Sequence, residues 1–270
     1  MLVGSATSPN QSVDTLPAMA DEAVKVSVEG DVALVTINRP ERRNALDSAS
    51  AKAVRSAIEE ASSARAIILT GAGKAFCAGG DLEELERWTD LPTDDIGDHL
   101  YEGYQGMIRA IRSSDAIVIA AINGAAVGAG LDLALACDIR VAAEGAQLGE
   151  VWVGLGVIPG TGGAWLAQSL VGPTKAAEML LTGELLTAEQ ALEAGLVNEV
   201  VQPEDLLPAA HRWAERILKH PREGVIANKR AMVLATEAAL DAALDHAKKV
   251  QPERFISDEF KAELKARRKT

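Results

Sequence analysis

The sequence predicts an α/β protein, because two apolar runs each lead through a glycine-rich loop into a helix. The first run, residues 66–70, opens into the loop 71–81, and the second, Ile117–Ile122, is followed by the loop 123–130. Continuous apolar runs of this length are typical of strands covered on both faces. A strand, a loop and a helix in this order leave free backbone N–H groups at a helix N-terminus, where a negative charge is stabilised.

The composition excludes several functional classes. The chain has 270 residues, of which 48% are hydrophobic and 24% charged, and its formal net charge is −12. An acidic chain lacks the basic face that nucleic-acid binding or a polybasic membrane anchor requires. The N-terminus has no signal-peptide pattern, and no apolar run is long enough to cross a bilayer. We therefore expect a soluble, cytoplasmic protein.

The two cysteines are expected to be buried free thiols. Cys77 and Cys137 both lie among small and apolar residues, and free cysteine is one of the most buried residue types. Reduced thiols fit a cytoplasmic location. A disulfide between the two remains an alternative.

The chain divides by composition into three parts. Residues 1–21 are rich in Ser, Thr and Pro and predict a flexible tail. Residues 22–203 contain every predicted strand, from a hairpin at 24–38 to a last strand at 197–201, and form the predicted core. Within it, the polar segment 83–103 is expected to be a mobile loop. Residues 204–270 predict only helices, which often hold subunits together.

Two nucleotide-binding patterns are excluded. The pair Gly73-Lys74 lacks the earlier glycine and the following Ser or Thr of a phosphate-binding P-loop. The sequence Gly154-Leu155-Gly156 begins like a dinucleotide fingerprint, but it lacks the third glycine and the preceding strand.

Four blocks in a fixed order carry a family resemblance. They are Asn-Arg-Pro…Arg-Asn-Ala-Leu at 38–46, Phe-Cys-Ala-Gly-Gly-Asp-Leu at 76–82, the region 121–140 with its glycine loop, and Gly-Val-Ile-Pro-Gly-Thr-Gly-Gly at 156–163. Together they resemble the crotonase superfamily, the enoyl-CoA hydratase/isomerase group, over about residues 24–201. The resemblance implies a spiral core of ββα turns, a C-terminal helical region, and a homotrimer or a dimer of trimers.

The resemblance also implies an acyl-CoA thioester substrate, without a metal or redox cofactor, because coenzyme A is part of the substrate. The backbone N–H groups of Gly80 and Ala129 would hold the thioester oxygen, in agreement with the two loops identified above. Such a pair stabilises a developing oxyanion. The residues expected to contact the substrate are Arg43, Ala45, Leu46, Ala78, Asp81, Leu82 and Trp152. For the three arginines at 39–43, a solvated charge cluster is the alternative to a phosphate site.

The chain departs from the family at its acid pair. Hydratases of the family use two glutamates, and these align here with Asp132 and Trp152. Asp132 is expected to act as general acid or base at the acyl α-carbon, although a helix N-terminal acid is the alternative. Trp152 is expected to wall an acyl pocket. Glu150, two residues earlier, is either a displaced acid or, more commonly for such a position, a surface glutamate.

Two relatives of the group fit less well. Dienoyl-CoA isomerases resemble the chain in having an aspartate at position 132, but their further carboxylates align with Trp152 and Gly160. Dehalogenase-like members resemble it at Trp152, but their nucleophilic aspartate also aligns with Gly160. Three hypotheses follow: an acyl-CoA hydratase or isomerase that uses Gly80, Ala129, Asp132 and Glu150, a non-catalytic acyl-CoA-binding protein, and a structural protein.

Overall fold

The structure, a computed structural model, describes residues 23–268, so the tail predicted at 1–21 lies outside the described residues. The strands of this part are β1 (Val24–Glu29), β2 (Val32–Ile37), β3 (Ala66–Gly71), β4 (Ala75–Cys77), β5 (Ile117–Ile122), β6 (Ala125–Val127), β7 (Ile139–Ala143), β8 (Gln147–Gly149), β9 (Leu186–Thr187) and β10 (Glu199–Val201). Its α-helices are α1 (Ser48–Glu60), α2 (Leu82–Trp88), α3 (Thr93–His99), α4 (Gln105–Ser113), α5 (Ala129–Ala136), α6 (Gly163–Thr182), α7 (Ala188–Glu193), α8 (Leu206–Leu218), α9 (Arg222–Leu234), α10 (Glu237–Phe255) and α11 (Asp258–Arg267). None of the helices within this range is long and apolar enough to cross a membrane.

The centre of the chain is a spiral of ββα turns, as predicted. Strands β3, β5 and β7 lie in a six-stranded sheet of order β1-β2-β3-β5-β7-β10, whereas β4, β6 and β8 lie in a four-stranded sheet of order β4-β6-β8-β9. Each turn thus places its first strand in the large sheet and its second in the small one. The helices α2, α5 and α6 follow the three strand pairs. The loops that lead into α2 and α5 therefore come from neighbouring turns.

The large sheet explains the continuous apolar runs. Alternate residues of a strand point to opposite faces. In β3, Ile67 and Leu69 belong to the main core, whereas Ile68 packs on the other face with Ile119 and with helix α8. Both faces of the strand are therefore covered, which explains why its residues do not alternate between apolar and polar.

The predicted hairpin is confirmed, and helix α1 begins with a capped N-terminus. Strands β1 and β2 pair antiparallel, with Val24 opposite Ile37 and Glu29 opposite Val32. Asp47 accepts a hydrogen bond from the Ser50 backbone N–H, and Ser50 returns a bond to the Asp47 backbone in a capping box. Such an arrangement satisfies helix N–H groups that otherwise have no partner.

The C-terminal helices complete the core. Helix α8 buries four side chains on the large sheet, while α10 and α11 contribute to the main core. Helix α11 also contacts the short 3₁₀ helix at Val151–Leu155 and helix α2. The division at residue 204 and its oligomerisation role stay predictions. The C-terminal residues of α11 lie beside the loops that hold the candidate site.

The prediction of a loop at residues 83–103 is wrong. This segment forms α2, α3 and a π-helical turn at Leu100–Tyr104. Its polar residues are interrupted by Leu85, Trp88, Ile96 and Leu100, all of which are buried in the core. The spacing of these four residues is helical, but the many acidic residues between them obscured the pattern.

The two cysteines are free and buried, as expected. Burial raises the pKa of each thiol to about 12. Both are therefore protonated near neutral pH, and a protonated thiol is a weak nucleophile.

Replacement of Gly130 by alanine is expected to destabilise the protein. A Cβ atom at this position would lie 2.2 Å from the backbone oxygen of Cys77, so the first and second turns would have to separate. We expect a loss of about 1–3 kcal/mol in the free energy of unfolding, as in overpacked cores. Gly224→Ala is the matched control, because that helical position has no atom within 4 Å of the added Cβ. Urea denaturation should show the control unchanged or stabilised by up to about 1 kcal/mol; equal midpoints for the two variants would contradict the prediction.

Candidate functional site

A cavity of about 470 Å³ lies between the loops of the first two turns and the 3₁₀ helix at 151–155. Its floor is formed by the loop residues Ala78, Gly79 and Gly80 and by Val127 and Gly128. The apolar wall consists of Leu82, Leu85, Val151, Trp152, Leu155 and Leu185, and three arginines lie at its edge, Arg42, Arg267 and Arg268. The cavity can thus take a ligand with an apolar part and an anionic part.

The backbone at Gly80 is held by a parallel bridge to Leu46. The Leu46 N–H donates to the Gly79 carbonyl at 2.7 Å, and the Asp81 N–H donates to the Leu46 carbonyl at 2.6 Å. These two bonds use the groups on either side of Gly80. The Gly80 N–H takes no part in the bridge and is available to a ligand in the cavity.

The second candidate donor is the N–H of Ala129. Ala129 is the first residue of α5, and Gly128 before it has φ +55°, which favours glycine. The first N–H groups of a helix have no acceptor within it. A Cβ atom on Gly79 would lie 3.8 Å from the Ala129 nitrogen. The loops that carry the two donors are therefore in contact.

Buried polar side chains fix the first loop. The Tyr104 hydroxyl donates to the Leu46 carbonyl at 2.6 Å and to Glu84 at 2.9 Å, and Glu84 also accepts the Ser48 N–H. Asn44 is fully buried and donates to the carbonyls of Ala72 and Ala75. These bonds restrain the segment 46–48, which pairs with Gly80, and the backbone before and at the start of β4.

The Asp132 and Glu150 side chains lie together in the interior. Both are at most 1% exposed. The Thr161 hydroxyl donates a hydrogen bond to Asp132 Oδ2. A Cβ atom on Gly163 would lie 1.9 Å from Asp132 Oδ1 and 2.7 Å from Glu150 Oε1. The absence of a side chain at Gly163 therefore makes the space in which the two carboxyl groups meet. The expectation of a surface position for Glu150 is wrong.

The shared environment shifts both carboxyl groups toward their protonated forms. Burial raises the pKa of Asp132 to about 6, and the neighbouring Glu150 and Thr161 groups limit the rise. Burial and the nearby Asp132 charge raise the pKa of Glu150 well above its usual range. Two carboxyl groups this close titrate as a pair. Near neutral pH the pair therefore favours a state that keeps one proton between the two carboxyl groups.

Several atoms of this pair have no hydrogen-bond partner within residues 23–268. They are Asp132 Oδ1, both Glu150 oxygens and the adjacent Trp152 Nε1. The two carboxyl groups are not joined by a hydrogen bond of ordinary geometry, although each is close enough to shift the pKa of the other. A buried polar group without a partner costs about 1–3 kcal/mol. An arrangement that lowers stability in this way is typical of a functional site.

The three arginines of the first block have different environments. Arg39 is largely buried and pairs with Asp47 and Asp81. Arg42 also pairs with Asp81, but 40% of its side chain is exposed at the cavity. Arg43 is exposed, has φ +52°, and does not line the cavity. Arg42 is therefore the arginine of this cluster that is placed to meet a ligand in the cavity.

The cavity separates the predicted site residues into two groups. Those that line it are Ala45, Ala78, Gly80, Asp81, Leu82 and Trp152. Those behind or outside its surface are Arg43, Leu46, Ala129, Asp132 and Glu150. The Asp81 carboxylate is occupied by arginines and by the N–H of Glu83 at the start of α2.

Sequence reasoning did not find Thr161, Arg267 or Arg268 as members of the site. Thr161 lies within one of the quoted motifs, which was the only available signal for it. Arg267 and Arg268 lie far along the chain from the loops they adjoin, and no spacing rule connects them.

The comparisons with known proteins agree with this geometry. The sequence profile of the family Enoyl-CoA hydratase/isomerase matches residues 27–269. The chain is 41% identical over 224 residues to the probable enoyl-CoA hydratase EchA14 of Mycobacterium tuberculosis, covering 82% of this chain and 85% of the relative. It is 37% identical over 242 residues to the short-chain-enoyl-CoA hydratase of Clostridium acetobutylicum, covering 88% and 91%.

Solved structures show the same fold. The enoyl-CoA hydratase/isomerase of Mycobacterium paratuberculosis superposes with a TM-score of 0.84 at 28% identity and covers 92% of this chain and 100% of the other. The enoyl-CoA hydratase of Bacillus halodurans gives 0.85 at 25% identity, covering 91% and 100%. The profile match, the relatives and the spiral of ββα turns lead to one conclusion: the chain belongs to the enoyl-CoA hydratase/isomerase family, within the crotonase superfamily.

Proposed function

We propose that this protein is an enzyme that hydrates or isomerises an enoyl-CoA thioester. The observation that carries the proposal is the buried Asp132–Glu150 pair beside the two loops that present Gly80 and Ala129. One carboxyl group that is ionised and one that is protonated near neutral pH form a general base and a general acid. The relatives named above as enoyl-CoA hydratases support the substrate class.

In the proposed reaction, the thioester oxygen accepts hydrogen bonds from the N–H groups of Gly80 and Ala129. These donors stabilise the negative charge that develops on the oxygen when water adds to the β-carbon or when the α-carbon loses a proton. Asp132 takes a proton from the attacking water or from the acyl chain, and Glu150 supplies one. This chemistry requires no metal or redox cofactor.

The coenzyme A part of the substrate is proposed to lie at the basic edge of the cavity. Arg42, Arg267 and Arg268 adjoin this edge, and guanidinium groups bind phosphate oxygens well. Ala45 and Ala78 line the cavity between this edge and Gly80. Their small side chains leave room for the narrow pantetheine arm. Arg43 and a trimeric assembly remain predictions from the resemblance.

A second candidate is an acyl-CoA-binding protein without turnover. It is favoured by one observation: Trp152 lines the cavity, whereas neither Asp132 nor Glu150 does. If the carboxyl pair never reaches the acyl group, the thioester binds without reacting. Calorimetric binding of crotonyl-CoA with no loss of its conjugated absorbance would favour this candidate.

The Asp132→Asn and Glu150→Gln variants test the proposed acid–base pair. We expect each to lower kcat for crotonyl-CoA by about 100-fold or more, the usual contribution of general acid–base catalysis. The rate is measured as the loss of conjugated thioester absorbance. Asp98→Asn is the control, because Asp98 is an exposed carboxylate that pairs with Lys248. Unchanged turnover in both test variants would exclude the pair from catalysis.

The pH dependence of stability tests the raised pKa of Asp132. The folded state retains a proton up to about pH 6, whereas an ordinary aspartate, with a pKa of 3.8, has released it. Stability therefore falls as pH rises from about 4 through about 6, by on the order of 2–3 kcal/mol for a shift of this size. Asp132→Asn should reduce this fall but not abolish it, because the raised pKa of Glu150 contributes in the same direction. Urea denaturation at pH 4.5 and 7 measures this change in the free energy of unfolding. An equal change in the variant and the wild type would contradict the prediction.

The arginines are tested by comparing Arg42→Ala with Arg43→Ala. The first lines the cavity and the second does not. We expect Arg42→Ala to raise the dissociation constant of coenzyme A by about ten-fold, the effect of losing one charge-assisted hydrogen bond, and Arg43→Ala to leave it nearly unchanged. Calorimetry with coenzyme A provides the measurement. A larger effect at Arg43 would place the phosphates on the other side of the loop.

A further inference from the structure

Trp152 occupies the boundary between the cavity and the carboxyl pair. Its indole lines the cavity on one side. On the other, it packs against the loop before α5, where a Cβ atom on Gly128 would lie 3.2 Å from Trp152 Cε2 and 3.5 Å from Nε1. Gly128 directly precedes Ala129. The ring therefore stands next to the proposed position of the thioester oxygen.

The polar edge of the indole faces the interior. Trp152 is 6% exposed, and its Nε1 is fully buried with no hydrogen-bond partner among the described residues. The N–H interacts with the Glu150 carboxyl group and holds its pKa below the value that burial alone would give, although the contact falls outside ordinary hydrogen-bond geometry. An indole N–H usually finds a partner when it is buried. While the ring is in place, four polar atoms at this boundary have no hydrogen-bond partner of ordinary geometry within residues 23–268. They are Trp152 Nε1, Asp132 Oδ1 and both Glu150 oxygens.

We propose that Trp152 is the specificity-determining barrier of the site: the indole separates the acyl cavity from the Asp132–Glu150 pair and admits an acyl group only when that group displaces the ring. The inference rests on the proposed function, because it concerns access of the acyl group to its acid and base. It also assigns a ligand class, because an indole that is displaced but still present leaves room for short acyl chains only. Displacement gives the unpartnered polar atoms access to the substrate.

The cavity wall indicates why chain length is selected. Leu85, Leu155 and Trp152 close the inner part of the cavity with apolar surface. Removal of the indole would join its volume to the cavity and to the space over the carboxyl pair. A longer acyl chain would then fit without any change at Gly80 or Ala129.

The first test follows the indole itself and does not depend on turnover. In the full-length chain labelled with ¹⁵N-tryptophan, the Trp152 indole signal is assigned by its loss in Trp152→Phe. We expect saturated butyryl-CoA, which cannot be hydrated, to shift this signal and to accelerate its hydrogen exchange with water. Coenzyme A alone should leave the signal unchanged, because it carries no acyl group. An unchanged signal in the presence of bound butyryl-CoA, with binding established by calorimetry, would overturn the inference.

The second test measures chain-length preference. The ratio of kcat/KM for 2-decenoyl-CoA to that for crotonyl-CoA should rise about ten-fold or more in Trp152→Ala, as expected for enlarging an apolar pocket. It should change little in Trp152→Phe, which keeps a ring, and in the control Trp213→Phe, whose Nε1 donates to Glu199 on the far side of the sheet. An unchanged ratio in a folded Trp152→Ala variant would overturn the inference. If that variant does not fold, the indole measurement decides.

The outcomes separate the barrier from the proposed function. A Trp152 signal that responds to butyryl-CoA in a protein that never consumes crotonyl-CoA supports the barrier and contradicts the proposed enzyme. Turnover of crotonyl-CoA with an unresponsive indole supports the enzyme and overturns the barrier. Failure of the wild type and of both Trp152 variants to bind butyryl-CoA would overturn the two together.

Discussion

The structure depends on the close approach of two successive turns, which only glycine permits. A Cβ atom on Gly124 would lie 2.1 Å from the Lys74 carbonyl oxygen, and one on Gly130 would lie 2.2 Å from that of Cys77. Backbone therefore packs directly against backbone where the first turn meets the second. The parallel pairing of β4 with β6 continues this contact. Because of it, the loops of Gly80 and Ala129 adjoin each other, although they come from different turns.

The carboxyl pair depends on a similar absence of side chains, in the third turn. Asp132 lies in the first turn of α5, Glu150 follows β8, and Gly163 begins α6, so three separate elements converge at one point. Replacing the two carboxyl groups with apolar residues of similar size would relieve the cost of their burial. The chain instead keeps both, and the Thr161 hydroxyl donates to Asp132 but not to Glu150. Their retention in this environment is easier to explain by proton transfer than by stability.

Local patterns were sufficient for most of the fold, whereas the roles of Gly80 and Ala129 as oxyanion donors stay predictions. Strands such as β5 and β7, the cap at Asp47 and the helices after residue 204 depend on periodicity and on residues close in sequence. The loop 71–81 indicated the start of α2, but the rest of α2 and the whole of α3 were missed, because their few core residues are separated by acidic ones. The burial of Glu150 was missed for a different reason. It depends on Gly163 and Asp132, which are distant in sequence, and no local pattern records a contact of this kind.

The departure from the family's acid pair also has a structural interpretation. Glu150 lies at the start of the 3₁₀ helix that carries Trp152, so a displacement of two residues moves a carboxyl group from one side of this short helix to the other. The consequence is a carboxyl group behind the cavity wall and an indole within the wall. A glutamate in the wall would be hydrated whenever the cavity is empty, whereas Glu150 stays desolvated and protonated. An indole in the wall and a carboxyl group behind it therefore separate substrate binding from proton transfer. The same short helix carries both groups, and the position of the Trp152 ring determines whether the substrate can reach the carboxyl pair.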